Sequence, residues 1–541
     1  MVSKIFRYLI DFSLAVFSSL LLVISFPKFD LGFLAWIGLL PLFCAIHDKS
    51  LKYSFLLSFI GGVLFFVGIF YWIFEITNFT LVHAVILALY VGPFFGFFGL
   101  MFNFISFRLG IRTALFAAPF IWVPLEYIRS NLSFLALPWG LLAHSQYQYP
   151  MIIQIASLTG TFSISFLIVM VNSAIAGMIY PSISRWDSQN LPSPGGRRSI
   201  LPRQRGRSLF VNRGRMVLII TAALLTTLTL LYGYVVISQP ITGNKIKISL
   251  VQGNIEQVKK WDRKYAREIM QIYADLTEEA SKDQPALIIW PETATPGAIN
   301  QDFRLHREVR NIAKKAGTYL LLGSAQHQKF AEKEKKRFKY LNSAFFIDPQ
   351  SKLGKNQRYD KIRLFPFGEY LPFKDIIPWS YLNVPNTSEY EAGKEFTVFE
   401  IPGFRFGVII CWESVFPELV REFVRNGAQF MVNITNEAWF GKTAAPYQLL
   451  SMSVFRAVEN RVFVVRCANT GISCIIGPYG RIVDRIKNEK GQDVFIRGVM
   501  SGWIIPLDSN TIYTRYGDIF VWVVFFGTVV FLVVALFKKR K

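Results

Sequence analysis

Apolar residues are distributed unevenly along this 541-residue chain. They gather in long blocks over residues 1–240, return in one block at 518–537, and in between give way to short apolar runs separated by charged stretches. A bilayer core takes about 20 apolar residues per helix. Blocks of that kind lie at 8–26, 31–47, 55–76, 82–106, 113–130, 159–180, 216–238 and 518–537, eight in all. Pro41 interrupts the second, and Pro119 and Pro124 the fifth. The first follows Lys4 and Arg7 as a signal peptide would, but it is long, lacks a small-x-small cleavage site and is followed by more spans, so it reads as retained.

The middle of the chain has a different period. Strands are predicted at 245–253 ("KIKISLVQG"), 286–292 ("ALIIWPE"), 318–325, 341–348 and 397–401. Five more follow at 405–411 ("RFGVIIC"), 429–435, 461–469, 473–478 and 494–500. Helices fit 257–283, 301–316, 415–426 and 446–460. Strands alternating with helices, several of them apolar on both faces, predict a layered α/β domain around buried sheet. The expected organisation is a membrane domain over 1–240, an α/β domain over 241–510, and a last helix with a basic tail over 511–541. Within the first, "NLPSPGGRRSILPRQRGRS" (190–208) has no apolar period and reads as a linker.

Composition agrees: 52% of residues are hydrophobic and 16% aromatic, above the usual globular share. The net charge of +23 would suit nucleic acid, but its placement argues for topology instead. Basic residues cluster at alternate ends of the spans: Lys4 and Arg7; Lys49 and Lys52; Arg108 and Arg112; eight arginines from Arg185 to Arg215; and Lys538 to Lys541. The intervening "EITNFT" (75–80) carries none. The positive-inside rule then puts both termini and the Arg-rich linker, 181–215, in the cytoplasm and residues 240–515 on the far side. No nucleic-acid partner is expected.

Four cysteines make no disulfide framework. Cys44 lies in a span; Cys467 and Cys474 flank a turn and read as two buried thiols or a cross-hairpin pair. Cys411 ends the apolar run of "GVIICWES" (407–414), with Glu413 two residues on. Glu292 ends "ALIIWPE" before the turn-forming "TATPG", and Lys361 lies in the apolar, proline-bearing "RYDKIRLFPFGEYLPF" (358–373). Taken singly, each has an ordinary structural reading: a packed thiol, a loop glutamate, a surface lysine. Taken together, they form a chemical set. A thiol needs a base or a lowered pKa to become a nucleophile, a carboxylate can take its proton, and an ammonium can stabilise a thiolate and then an oxyanion. Glu413 would help order the pocket. None of the five histidines lies at a suitable strand end, and no His/Cys/carboxylate group has metal-ligand spacing, so neither metal nor other cofactor is expected.

"WPE", "YDKIRLFPFGEY" and "CWES", in that order, resemble the Glu–Lys–Cys triad of the nitrilase, or carbon–nitrogen hydrolase, superfamily, as does "RAVEN" (456–460). With eight spans, "QGNIEQVKKWD" (252–262), "TNEAWFG" (435–441), "WVPLEYIR" (122–129) and "LPWG" (137–140), the whole chain is similar to the apolipoprotein N-acyltransferase family within it. The resemblance implies a multi-pass α-helical membrane domain plus an extracytoplasmic αββα nitrilase-like sandwich. It implies Glu292 as general base, Lys361 as oxyanion stabiliser, Cys411 as nucleophile, and Glu369 and Glu413 as supporting carboxylates. Trp412 stands where the family often has tyrosine, so no hydroxyl is available there, and Trp439 and Phe440 match a mobile aromatic loop at the pocket mouth or belong to the core. Glu126 and Arg129 read as a structural ion pair at the membrane interface.

The activity implied is acyl transfer from a phospholipid donor, through a Cys411 thioester, to the α-amino group of a diacylglyceryl-cysteine on an apolipoprotein acceptor. The setting would be the bacterial inner membrane, with the catalytic domain periplasmic and the protein a monomer among membrane lipids. Two rivals stay open: a membrane-anchored amidase with water as acceptor, and a transporter or sensor that only binds ligand.

Overall fold

The computed structural model describes residues 2–76, 79–190, 205–260, 262–329, 338–350, 357–373, 376 and 390–538. The chain divides into two compact units. One holds residues 1–71, 81–236 and 518–541; the other holds 72–80 and 237–517.

The second unit is built on two six-stranded sheets. The first contains β1 (Ile246–Gln252), β2 (Leu287–Ile289), β3 (Tyr319–Lys329), β4 (Phe338–Ile347), β5 (Gln357–Asp360) and β12 (Gly498–Ile504), in the order β12-β1-β2-β3-β4-β5. The second contains β6 (Val398–Ile401), β7 (Phe404–Ile410), β8 (Phe430–Thr435), β9 (Phe463–Ala468), β10 (Cys474–Ile476) and β11 (Ile482–Arg485), in the order β11-β10-β9-β8-β7-β6. In each sheet three central strands run parallel, β1-β2-β3 and β7-β8-β9, and antiparallel strands flank them. The sheets face one another. Phe346 of β4 meets the rings of Phe399 and Phe406, and the Cys467 thiol donates to the carbonyls of Val251 and Ile289 at 3.4 and 3.2 Å.

Helices cover the outer faces. Ala266–Ser281 packs on β1, β2 and β12, and Phe303–Ala316 joins it over a core that includes Tyr273, Ile288, Trp290, Val309 and Leu322. Trp290 stacks on Tyr273 at 4.7 Å, and its indole N–H is satisfied by Thr277 at 2.9 Å, as a buried donor requires. Pro417–Arg425 and Ala445–Asn460 lie against β7 and β9 of the other sheet. The result is the expected αββα sandwich.

Two strands, β5 and β11, escape the apolar pattern, and the last expected strand, 494–500, lies instead at Gly498–Ile504. Both unforeseen strands are short sheet edges, the polar "QRYD" and the exposed "IVDR", where one side meets no further strand among the described residues. Cys467 and Cys474 are buried free thiols; Cys474 sits opposite Arg466 in register, so the two cysteines are not paired across the hairpin.

The first unit is helical. Among the described residues seven helices are long and apolar enough to cross a membrane: Ile5–Ile24, Leu51–Ile69, Leu81–Leu109, Ile111–Asn131, Phe162–Tyr180, Gly214–Ile237 and Ile519–Phe537. Pro119 and Pro124 are accommodated inside a continuous helix. The expected span at 31–47 is broken: Gly32–Leu34, Ala35–Gly38 and Leu40–Ile46 are separate helical pieces. Its 15 residues rise only about 22 Å if fully helical, short of the ~30 Å bilayer core. Backbone groups freed by the break have polar partners. Asn172 accepts from the Leu39 amide and donates to the Ala35 carbonyl, both at 2.9 Å, while Ser18 reaches Gly38 and Gln146 reaches Gly32. This is how non-helical backbone is tolerated at membrane depth.

Glu126 and Arg129 attract one another, as expected, but do not come within ion-pair contact. Glu126 accepts from the Leu142 amide at 3.0 Å, and Arg129 donates to the carbonyls of Leu137 and Trp139 at 2.7 and 2.5 Å. Both charges fasten an irregular segment whose main-chain groups lack helical partners. Residues 191–204 of the linker and 539–541 of the tail lie outside the described residues.

Candidate active site

Cys411 is the first residue after β7, at a sharp turn into a 3-10 helix, Cys411–Val415. Its φ of 57° is left-handed, a conformation that costs a non-glycine residue on the order of 1–2 kcal/mol and persists only where the surroundings enforce it. Glu413 enforces it. Fully buried, its carboxylate folds back to accept from the Ile410 amide at 2.7 Å and reaches across to the amides of Ile362 and Arg363 at 2.7 and 2.9 Å and to the Tyr359 hydroxyl at 2.9 Å. One carboxylate therefore ties the turn that carries the cysteine to the turn that carries Lys361. From the other side Asn433 donates to the Cys411 carbonyl at 3.2 Å, and Arg466, itself paired with Glu437, holds Asn433 at 2.7 Å.

Lys361 follows β5 directly and is 1% exposed. Its ammonium lies 2.9 Å from Glu369 and 3.7 Å from Glu292. Glu292 follows β2, and Gly323 of β3 lets its backbone come close: a Cβ there would sit 2.6 Å from the Glu292 Cα. The Glu292 carboxylate takes the Asn342 side-chain N–H at 2.8 Å and the Asn436 amide at 2.7 Å. Asn342 also donates to Glu369 at 2.9 Å, so one amide bridges the two carboxylates that flank the lysine. Glu369 is further fixed by the Phe365 amide at 2.7 Å.

The electrostatics follow from this packing. Burial pushes the Cys411 thiol up to about 12; Glu292 acts in the same direction and Lys361 against it. The sulfur therefore rests as a thiol and needs a base at the moment of attack. Burial alone would lower Lys361, but the carboxylates of Glu369 and Glu292 outweigh it and hold the ammonium protonated. A neutral thiol, a fixed cation and the Glu292 carboxylate, each following a strand, with Glu369 from the loop after Lys361, provide a nucleophile, a proton acceptor and an electrophilic donor. No group of His, Cys, Asp and Glu that could hold a metal ion occurs among the described residues.

Residues 247–502 match the carbon-nitrogen hydrolase family, and residues 18–174 match the apolipoprotein N-acyltransferase N-terminal domain. The apolipoprotein N-acyltransferase of Geobacter metallireducens is 34% identical over 98% of this chain and 96% of its own. The chain belongs to the apolipoprotein N-acyltransferase family. Relatives of the same name from Chlorobaculum tepidum (29% identical over 98% of this chain and 97% of their own) and Treponema denticola (27%, over 100% and 99%) extend the match. A mutant of the Nesterenkonia AN1 amidase from the nitrilase superfamily, 19% identical over 51% of this chain and 95% of its own, superposes with a TM-score of 0.36.

The remaining residues singled out in this family member lie at different depths. Trp412 is buried between Phe365 and Phe416, with its indole N–H on the Arg363 carbonyl at 2.6 Å, so it walls the site by packing. Trp439 and Phe440 separate: Trp439 is 46% exposed, whereas Phe440 is buried edge-on against Trp72, which is itself fixed by Gln448 at 3.0 Å. Asn342, Asn436 and Lys260 were not foreseen. Asn342 carries a readable signal, a buried amide in the otherwise apolar run "LNSAFF". Asn436 acts through its backbone N–H, for which side-chain identity gives no sign.

Proposed function

We propose that Cys411 takes a fatty acyl chain from a membrane phospholipid and passes it to the α-amino group of a diacylglyceryl-cysteine at an apolipoprotein N-terminus. Membership of the family supports acyl transfer, and the cluster of Lys361 between Glu369 and Glu292 beside Cys411 is the single observation that supports these residue roles. In the first half-reaction Glu292 accepts the thiol proton as sulfur attacks the ester carbonyl. Lys361 stabilises the oxyanion, and Glu292 returns the proton to the departing alcohol of the lysophospholipid. In the second, the amine attacks the thioester, Glu292 takes a proton from nitrogen, and the sulfur leaves and is reprotonated. Glu369 and Asn342 hold Lys361 and Glu292 in register, and Glu413 holds the turn.

Orientation follows from the basic clusters: both termini lie in the cytoplasm of a bacterial inner membrane and the hydrolase-like unit is periplasmic. Both termini inside require an even number of crossings, so a shorter apolar stretch must complete the eighth, and Gly32–Ile46, between the first two long helices, fits that place despite its break. Water is the competing acceptor, as in an amidase. Seven membrane-length helices favour a lipid donor, because one anchor would serve a hydrolase of soluble amides. The test is acyl transfer from phospholipid vesicles to a synthetic diacylglyceryl-cysteinyl peptide. Cys411→Ala is expected to abolish it; full activity in that variant ends the proposal.

A further inference from the structure

Proton counting exposes a requirement that Glu292 and Lys361 leave unmet. An ester plus an α-ammonium gives an amide, an alcohol and one free proton. Glu292 takes and returns one proton in each half-reaction, so it ends each cycle unchanged. An α-amino group has a pKa of about 7.7–8.0 and arrives mostly protonated at neutral pH, so its nitrogen must lose a proton before it attacks. Lys361, held as an ammonium by its carboxylates, cannot take that proton.

A second lysine lies beside the same groups. Lys260 is 3% exposed, and its Nζ donates to the main-chain carbonyl of Glu292 at 3.0 Å. No carboxylate oxygen among the described residues lies within ion-pair distance of it, in contrast to Lys361. A buried ammonium with one hydrogen bond and no carboxylate in contact is costly, and the neutral amine relieves that cost. The charged and titratable groups that act on it are Glu292 and Cys411, while its neighbour Lys259 turns to the exposed Glu256 at 3.1 Å. Burial pushes the Lys260 amine down to about 7, against the pull of Glu292 and Cys411.

We propose that Lys260, as the free amine, accepts the surplus proton from the acceptor's α-ammonium and so frees that nitrogen to attack the Cys411 thioester. The step balances: the ammonium N–H bond breaks, its electron pair stays on the substrate nitrogen, and Lys260 becomes an ammonium that later releases the proton to water. This rests on the acyl-transfer reading above.

The test separates the half-reactions in the full-length protein. Acyl-enzyme is formed from vesicles of phosphatidylethanolamine and phosphatidylglycerol and followed by intact mass. The diacylglyceryl-cysteinyl peptide is then added, and single-turnover transfer is measured from about pH 5.5 to 9.5. In Lys260→Met, transfer near pH 7 should fall at least about fivefold and recover toward pH 9, where the substrate amine is already free, while acylation falls no more than about threefold. Lys260→Arg keeps the cation but cannot lose its proton, so it should share the defect and the recovery; it also carries the test if the methionine variant does not fold. Wild-type transfer in either variant near pH 7, or acylation lost as severely as transfer in both, overturns the inference and leaves Lys260 as a holder of Glu292. If the wild-type protein forms no thioester at all, the acyl-transfer reading fails instead.

Discussion

Each unit of the molecule buries ionised side chains, but for different ends. In the helical unit Glu126 and Arg129 stand one turn apart and attract one another, yet neither contacts the other and their closest bonds run to main chain, at Leu142 and at Leu137 and Trp139. Arg129 also lies 4.8 Å over the Phe66 ring. In the sandwich unit Glu292 and Glu369 also accept main-chain amides, from Asn436 and Phe365, but they pair in addition with Lys361 and share the Asn342 amide that bridges them. Burial of charge alone therefore does not mark a site; the destination of the hydrogen bonds does. Charges that end on backbone hold a loop. Charges that end on each other beside a nucleophile hold a reaction-ready arrangement.

That contrast breaks most visibly at Lys361. Lys361→Met would remove the cation between two buried carboxylates and the oxyanion donor together. Acyl transfer should drop by about 10³-fold or more, with a stability loss of roughly 3–5 kcal/mol, read by transfer assay and thermal unfolding. Wild-type turnover in this variant would place the electrophile elsewhere.

Glu413→Gln is the next in size. It would point an amide N–H₂ group at backbone donors that now face a carboxylate, at a cost of about 2–3 kcal/mol. Its pH signature has a definite sign. Burial raises the Glu413 carboxyl from 4.5 to about 7, against the pull of the Arg363 and Ile410 amides, Lys361 and Tyr359. The folded state therefore binds the proton more tightly than the unfolded state. The resulting stability is fully present below pH 4.5 and is lost as pH rises through about 7. The melting temperature of the wild type should carry this slope, and that of Glu413→Gln should lose it; identical slopes would remove Glu413 from that role.

Arg129→Gln should have the smallest effect on catalysis. It leaves two carbonyls short of a donor, so the melting temperature should fall by the equivalent of about 1–3 kcal/mol while single-turnover acyl transfer stays within about threefold. A selective loss of transfer without a loss of stability would mean that the two buried charge systems are not different in kind.

Much of the sandwich was legible because its central strands are apolar on both faces and the reacting residues stand where those runs stop: Glu292 after β2 and Cys411 after β7. Lys361 was legible only as part of a motif, since β5 before it is a polar edge strand with no hydrophobic signature. Lys260 sat in plain view in "QVKKWD", but a lysine shows neither its burial nor its lack of a contacting carboxylate in sequence. Glu126 and Arg129 misled for a similar reason. Their spacing suggests an ion pair, and only the path of residues 137–142 reveals the backbone groups that claim them. The second apolar block misled because hydropathy counts residues and does not register where Gly38 and Pro41 divide a helix.

The central claim is that Cys411 carries the acyl group between donor and acceptor. Intact-protein and peptide mass spectrometry after incubation with phospholipid vesicles tests it directly. The account predicts a fatty acyl adduct on the Cys411 peptide that hydroxylamine removes and that disappears when the diacylglyceryl-cysteinyl peptide is added. Transfer to that peptide with Cys411 unmodified throughout, or an adduct that the peptide never discharges, would contradict it.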